Sequence, residues 1–426
     1  MLNILKIAVR NLARFHRRTL LTSTLITLGI VAVLLFIATA GSFKTMMIGQ
    51  FTDGVLGHLQ VHRRGYVASI DTLPLNLNLQ PAMVEKIEQV LKNMDGVEAY
   101  SKRVKLGAMF SNFTETTSAR VNGIDPEKEA ATMPLLPGRV TQGSKEGPLL
   151  KPGEIVIPTL LSRGMKVNVG DTVVLVSTNR DGSVNGKTFL VRGVMESMTG
   201  PSGRDSYIHI DDARNLLRMK EPEVSEIAVR LKNPALLDRV YAQLSQELTG
   251  TAGKEKKPAP DMAKSGGGAG FEVHTWADLS PFSSIVRMID LLSVFIKVML
   301  VSIVLVSVLN VMVMAVYERI REIGTISAIG TPPRKILSLF LIEGLLLGLG
   351  GALLGSAISL GVIYALNIWK ITYAFGQQQN LVLSPAVSVA DVLITASMVV
   401  VVALLASLQP AWKASRMDPV RALGHV

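Results

Sequence analysis

Four apolar runs, at residues 19–41, 286–316, 336–369 and 389–408, constrain this chain more than any other feature. A helix needs about 20 apolar residues to cross the hydrocarbon core of a bilayer. No water is available there to satisfy a backbone, so each run reads as a transmembrane helix. Residues 42–285, between the first run and the second, have the composition of a soluble domain. The mean hydropathy of +0.37 and the 48% hydrophobic share are therefore averages over two kinds of segment. The fold class expected is an α+β membrane protein with four transmembrane helices, a large extracytoplasmic α+β domain being inserted between helices 1 and 2. The first run is longer than the apolar core of a signal peptide and no clear small-x-small cleavage site follows it, so it reads as a retained span.

Basic residues decide the side of each connection. Residues 1–18 carry Lys6, Arg10, Arg14, Arg17 and Arg18 and no acid. The arginines recur at helical spacing with Leu5, Val9, Leu12 and Ala13 between them, which predicts an amphipathic helix at the membrane interface. Arg319, Arg321, Arg334 and Lys335 lie in the connection 317–335, and Lys413, Arg416 and Arg421 in the tail 409–426. The short polar connection 370–388 has only Lys370 at its edge. By the positive-inside rule both termini and 317–335 are cytoplasmic, and 370–388 and the inserted domain lie outside.

Within 42–285 the hydrophobic period alternates between that of strands and that of helices. Residues 57–66, 154–158, 207–210, 225–231 and 272–276 read as strands, and 104–121 as a strand pair turning near Asn112. Residues 172–177 and 187–191 read as a hairpin. Residues 81–94, 160–165, 211–219 and 234–248 read as helices. The stretch 249–270 is built of glycine, proline, alanine and lysine, and predicts a disordered loop.

The connection 317–335, YERIREIGTISAIGTPPRK, is short and charged. Glu318, Arg319, Arg321 and Glu322 are spaced to pair locally at i,i+3 and i,i+4. Ile320, Ile323, Ile326 and Ile329 recur every third residue, and on a straight helix such a stripe drifts by about 60° per step. That predicts a bend near Gly324, in a short interfacial helix stopped by Gly330 and Pro332–Pro333. A plain connector needs no run of isoleucines, so the segment reads as a docking helix for a cytoplasmic partner. In the third run Gly344 with Gly348, and Gly351 with Gly355, form small-xxx-small steps that let helices approach closely.

The pattern E-R-x-R-E-I-G-x-x-x-A-x-G from Glu318 to Gly330, with Arg334 and Glu343 after it, resembles the permease subunit of the MacB/Lol/FtsX superfamily of ABC transporters. The leader Ala8-Val9-Arg10-Asn11-Leu12 with Arg17-Arg18-Thr19, and the tail Pro410-Ala411 with Asp418-Pro419-Val420-Arg421-Ala422-Leu423, match it too. Gly57 to Tyr66, Gly123-Ile124-Asp125-Pro126 and Trp276 are similar to the lipoprotein-releasing LolC/LolE type. The chain departs from the pattern at Ile320, where small polar residues are common, and at Thr331-Pro332-Pro333, which lacks the usual small-residue turn. The resemblance implies ATPase coupling through Glu318, Arg319, Arg321, Glu322, Ile323, Gly324, Ile326, Ala328, Ile329 and Gly330. It implies a bacterial inner-membrane location and a separate ABC ATPase in two copies, which would bind the ATP and Mg. It further implies a second permease copy or paralogue, contact with membrane lipid, a lipoprotein substrate and a periplasmic acceptor. Two alternatives come with the same family: MacB-like efflux, and FtsX-like activation of a cell-wall hydrolase.

Nothing in the sequence points to chemistry in this chain, and no cofactor of its own is expected. There is no cysteine. The stretch from Asp181 to Thr188, DGSVNGKT, ends like a phosphate loop but has Asp181 where the first glycine belongs, and it falls in the hairpin connection. His58 and His62 lie four apart without a supporting carboxylate. Aromatics are 5% and do not interleave with the basic residues, which argues against nucleic acid despite the net charge of +11.

Overall fold

The computed structural model describes residues 2–143, 147–197, 204–249, 270–280, 282–375 and 378–419. The stretch expected to be disordered, 249–270, lies outside these residues apart from its two ends, as does the tail beyond residue 419. The helices are α1 (Leu2–Arg14), α2 (His16–Phe51), α3 (Pro81–Asn93), α4 (Pro126–Thr132), α5 (Leu135–Gly138), α6 (Thr159–Met165), α7 (Ile210–Leu216), α8 (Leu237–Thr249), α9 (Trp276–Leu279), α10 (Ser283–Glu318), α11 (Ile320–Ala328), α12 (Pro333–Trp369) and α13 (Val389–Ser415). The strands are β1 (Leu59–Arg63), β2 (Val97–Ser111), β3 (Thr116–Ile124), β4 (Val140–Gly143), β5 (Glu154–Pro158), β6 (Thr172–Thr178), β7 (Val184–Met195), β8 (Asp205–His209), β9 (Glu226–Leu231), β10 (Phe271–Thr275), β11 (Thr372–Phe375) and β12 (Gln378–Val382). They form two compact units, Met1–Thr45 with Ser284–Tyr373 and Val382–Val426, and Met46–Ser283 with Ala374–Leu381.

The first unit holds α2 as far as Thr45 together with α10, α12 and α13, and these four helices are long and apolar enough to cross a membrane. At 1.5 Å per residue the 36 residues of α2, like the 36 of α10, reach about 54 Å, well beyond about 30 Å of hydrocarbon. Helix α12 is the one its neighbours close upon. A Cβ on Gly344 would lie 2.6 Å from Ser407 Cβ, and one on Gly348 2.7 Å from Ala403 Cβ, both on α13. One on Gly351 would lie 2.5 Å from Ile26 Cγ2, and one on Gly355 2.8 Å from Ile30 Cβ, both on α2. The first small-xxx-small step therefore serves α13 and the second serves α2. Lipid tails are as apolar as leucine, so such close backbone contact and its dispersion energy hold these helices together. Further along α2, Lys44 Nζ meets both carboxylate oxygens of Asp290 on α10, at 2.7 and 2.9 Å.

The polar connection 370–388 is more than a loop: it contains the two-stranded sheet β11–β12. The glutamine-rich Gln378–Val382 offers no alternation from which a strand could be read.

In the second unit the strands form one mixed sheet, in the order β10-β1-β9-β2-β3-β8-β5-β7-β4. Strand β2 is 15 residues long and needs two partners on one side, β9 along Val97–Arg103 and β6 along Met109–Ser111. Because β6 also pairs β7, the path β2-β3-β8-β5-β7-β6 closes on itself. Val104, Leu106, Ala108 and Phe110 on one face of β2 join the main core with Val84, Ile87 and Leu91 of α3 and Val240, Leu244 and Leu248 of α8.

Alternation would put the other face of β2 in water, yet Arg103 and Lys105 there are buried. They meet Glu226 of β9, at 3.1 Å from Arg103 Nη1 and 2.8 Å from Lys105 Nζ, and His62 Nε2 lies 3.4 Å from the same carboxylate. Burial alone would raise the Glu226 carboxyl, but Lys105, His62 and Arg103 together hold it well below its ordinary 4.5. Burial lowers His58 and His62 from their ordinary 6.5 and raises Asp205, whose main opposing charge is Arg120.

Two predictions follow from these contacts. Gly351→Leu forces α2 off α12 and, at about 1–3 kcal/mol for overpacking, lowers the melting temperature of the detergent-purified protein; an unchanged melting point would contradict the packing account. The buried histidines resist protonation when folded, so their contribution is full above their unfolded value and declines as pH falls below it. Glu226, depressed when folded, adds a second loss at lower pH, beginning at its own unfolded value. Asp205, raised when folded, works in the opposite sense and gains as pH falls. The thermal midpoint of the inserted domain should drop between about pH 7 and about pH 5 and fall further below that. A midpoint flat across the histidine window would show that these side chains are not buried neutral.

Candidate functional site

The segment between α10 and α12 is a helix break, a short helix and a tight stop. Helix α10 ends at Glu318, and Arg319 at φ −113° and ψ 18° turns the chain out of it. The expected bend at Gly324 is not there: α11 runs straight through it, and the turn comes five residues earlier. The cause is the Arg319 side chain, drawn inward to Glu343 on α12, with Nη1 donating to Oε1 at 2.9 Å. The stop is a Schellman motif. Gly330 at φ +94° supplies the left-handed residue, its N–H bonds Ser327 O at 3.0 Å, and the Thr331 N–H bonds Ile326 O at 3.2 Å. Pro333 then opens α12, where its missing N–H costs nothing.

Because α11 is straight, the isoleucine stripe rotates out of the core. Ile320 and Ile323 are buried, while Ile326 is 43% and Ile329 81% exposed. Of the residues the sequence singles out, Arg319, Ile323 and Gly324 face inward. Glu318, Arg321, Glu322, Ile326, Ala328, Ile329 and Gly330 are exposed.

The charges seen to pair do so across elements and not at i,i+4. Arg18 Nη1 donates to Glu318 Oε2 at 2.8 Å, and Arg14 Nη1 reaches Glu322 Oε1 at 3.5 Å. Asn11 Nδ2 donates at 2.8 Å to the same Glu343 oxygen that Arg319 uses. Glu343 is 3% exposed, so its charge is stabilised almost wholly by these two donors. Phe15, between α1 and α2, lies under three guanidinium groups, those of Arg319, Arg18 and Arg14 at 5.2, 5.7 and 5.9 Å. Helices α1 and α11 thus share one polar scaffold with the first turns of α12. A groove of about 550 Å³ runs along it, lined by Ile7, Arg10, Asn11, Arg14, Glu322, Thr325 and Ile326.

Sequence reasoning undervalued Asn11, Phe15 and Glu343. A carboxylate in an otherwise apolar span is the signal that could have found the hub, because an intramembrane acid demands a partner.

The other stretches that the sequence raises take structural partners. Among the described residues no group of three or more His, Cys, Asp or Glu could hold a metal ion. His58 Nδ1 accepts the Leu231 N–H at 3.4 Å and His62 is engaged with Glu226. In the stretch resembling a phosphate loop, the Asp181 and Ser183 N–H groups bond Asn179 Oδ1 within the β6–β7 turn.

Comparison with known proteins matches the same segments. Residues 19–247 match the MacB-like periplasmic core domain, and residues 294–419 the FtsX-like permease C-terminal. The chain is 23% identical over 424 residues to the lipoprotein-releasing system transmembrane protein LolC of Neisseria meningitidis serogroup B, covering 94% of this chain and 92% of that protein. It is 24% identical over 351 residues to the macrolide export ATP-binding/permease protein MacB of Bdellovibrio bacteriovorus, covering 80% of this chain and 49% of that protein. The periplasmic region of MacB from Actinobacillus actinomycetemcomitans covers 55% of this chain and 92% of its own length, at 13% identity and a TM-score of 0.34. With four membrane-crossing helices and a MacB-like periplasmic core domain inserted between the first two, this chain belongs to the MacB/FtsX superfamily of ABC transporter permeases.

Proposed function

We propose that this chain is the membrane half of a transporter powered by a separate ATPase, and that it releases lipoproteins from the inner membrane toward the outer membrane. The observation that carries the reading is the shared scaffold of α1, α11 and α12. Two surface helices joined through the buried Glu343 and the arginine cluster on Phe15 can receive a push as one body. Ile326 and Ile329 on the outer face of α11 offer the ATPase an apolar anchor, ringed by Arg321 and Glu322. Two copies each of permease, or of this chain with a paralogue, and of ATPase complete the assembly. The basic flanks of residues 1–18 and 317–335 orient this face to the cytoplasm. The work we assign to the chain is mechanical. The long α2 and α10 carry motion outward.

The lipoprotein cargo is supported by likeness over nearly the full chain to a protein named for lipoprotein release. Export of small molecules is the second reading, favoured by the MacB-like domain match. Mass spectrometry of what co-purifies with the tagged complex separates them. Bound triacylated protein supports the first, a bound small amphiphile the second, and a cell-wall hydrolase without either would overturn both.

Two substitutions test the coupling face. Ile329→Asp leaves the melting temperature within error, because the side chain is 81% exposed, but reduces retention of the ATPase subunit on the affinity column by about tenfold. Glu343→Ala leaves Arg319 buried without its carboxylate and costs about 3–5 kcal/mol, seen as a lowered melting temperature before any effect on the ATPase. If Ile329→Asp retains its ATPase and Glu343→Ala melts normally, the scaffold is not the coupling site.

A further inference from the structure

At the far end of α2 the chain makes one π-turn, Thr52–Leu56, and then enters the sheet at Gly57. Gly57 sits at φ +78°, and a Cβ there would lie 2.9 Å from Val229 O, so the exit admits only glycine without strain. A helix that stops this abruptly leaves its last carbonyls without backbone partners. Water would satisfy them at little cost. Here three successive carbonyls are taken by side chains. Arg139 Nη1 donates to Gly54 O at 3.4 Å, Arg103 Nη1 to Val55 O at 2.6 Å, and Gln60 Nε2 to Leu56 O at 2.8 Å.

Both arginines are buried, at 4% and 7% exposure, and both are anchored elsewhere. Arg103 places Nε and Nη2 on the two oxygens of Glu129 in α4, and shares Nη1 between Val55 O and Glu226 Oε1 of β9. Arg139 places Nη2 on Glu196 O at 2.8 Å. Positive charge at a helix C-terminus also favours the macrodipole. Desolvating two guanidinium groups is a costly way to cap a turn that water could cap.

We propose that Arg103 and Arg139 form a socket that fixes the last turn of α2 to the sheet, with Arg103 as the main positioning residue. The socket is where motion along that helix is handed to β2, β9 and α4, and it deepens the mechanical reading above, on which it rests. Arginine is required because one planar fork must reach two carboxylates and a carbonyl together, and lysine offers a single point of contact.

The test uses the full chain in lipid nanodiscs. In Arg103→Lys, deuterium exchange at the amides of residues 52–57 should rise about tenfold, while the strands of the β5–β7 pair keep their protection. Equal exchange at the turn, or a uniform rise across the sheet, overturns the socket. Should Arg103→Lys fail to fold, Glu129→Gln, which loosens the same fork, takes its place under the same criteria. The chain has no cysteine of its own, and a Cβ on Gly54 would lie 3.9 Å from Leu135 Cβ, within disulfide reach. Adding Gly54→Cys and Leu135→Cys to Arg103→Lys should return turn exchange to the native rate when oxidised and release it again when reduced. In the complex purified with its ATPase, ATP-driven release of a fluorescent triacylated lipopeptide from proteoliposomes should follow the same pattern, with ATP hydrolysis continuing throughout. Release unaffected by Arg103→Lys, or lost and not restored on oxidation, overturns the role in transmission. If the native complex releases no lipopeptide while turn exchange still follows the pattern, the socket stands and the cargo reading fails.

Discussion

Glu343 is a carboxylate in a helix otherwise suited to hydrocarbon, and the arrangement around it follows from that. A buried charge of this kind persists only with donors close by. Asn11 reaches it from α1 and Arg319 from the end of α10. To do so Arg319 must leave the helical path, so α10 ends there and α11 starts in a new direction. The fixed direction of α11 then decides which isoleucines face inward and which are left outside. One buried carboxylate thereby sets the geometry of three helices. The glycines of α12 do the complementary work deeper in the bundle, bringing α13 and α2 close enough for dispersion contact.

The inserted domain uses the same logic with the sign reversed. There the hub is a cation, Arg103, and the carboxylates of Glu129 and Glu226 come to it from a helix and a strand. In each unit a buried charge recruits elements far apart in sequence, 332 residues apart for Asn11 and Glu343 and 123 for Arg103 and Glu226. An apolar contact could hold such elements together, but it would not specify their orientation so narrowly, because dispersion has no direction.

This logic separates what the sequence reveals from what it hides. Spans and strands were legible because period and length are local: Glu154–Pro158 reads as a strand from its own five residues. The second face of β2 was not. Arg103 and Lys105 alternate with Val104 and Leu106 in the way a solvated strand would, and only the distant Glu226 makes them interior. The coupling segment fails in the same manner. Local spacing offers Glu318 and Glu322 nearby arginines within the segment, but Arg18 and Arg14 of the N-terminal helices claim them. The permissive backbone is at Gly324, yet the turn occurs at Arg319, where a side chain pulls. Helix α4 has a local start signal, Asp125 accepting from Glu127 N and Lys128 N with Pro126 as its first residue. Yet Pro126–Thr132, PEKEAAT, carries no large apolar residue and so no hydrophobic period from which a helix can be read.

Helix α2 brings the two hubs to bear on one element. Its first turn lies beside Phe15 under the guanidinium groups of Arg14, Arg18 and Arg319, and its last carbonyls are held by Arg103 and Arg139. A helix gripped at one end only can answer a push by rotating or fraying, because its terminal hydrogen bonds are the weakest it has. Gripped at both, it loses these two ways of yielding to a push. Under the proposed mechanism that is the property a permease that passes on force requires. The cost is two clusters of desolvated charge, one near each end of the same helix, that a purely structural span would have no reason to keep.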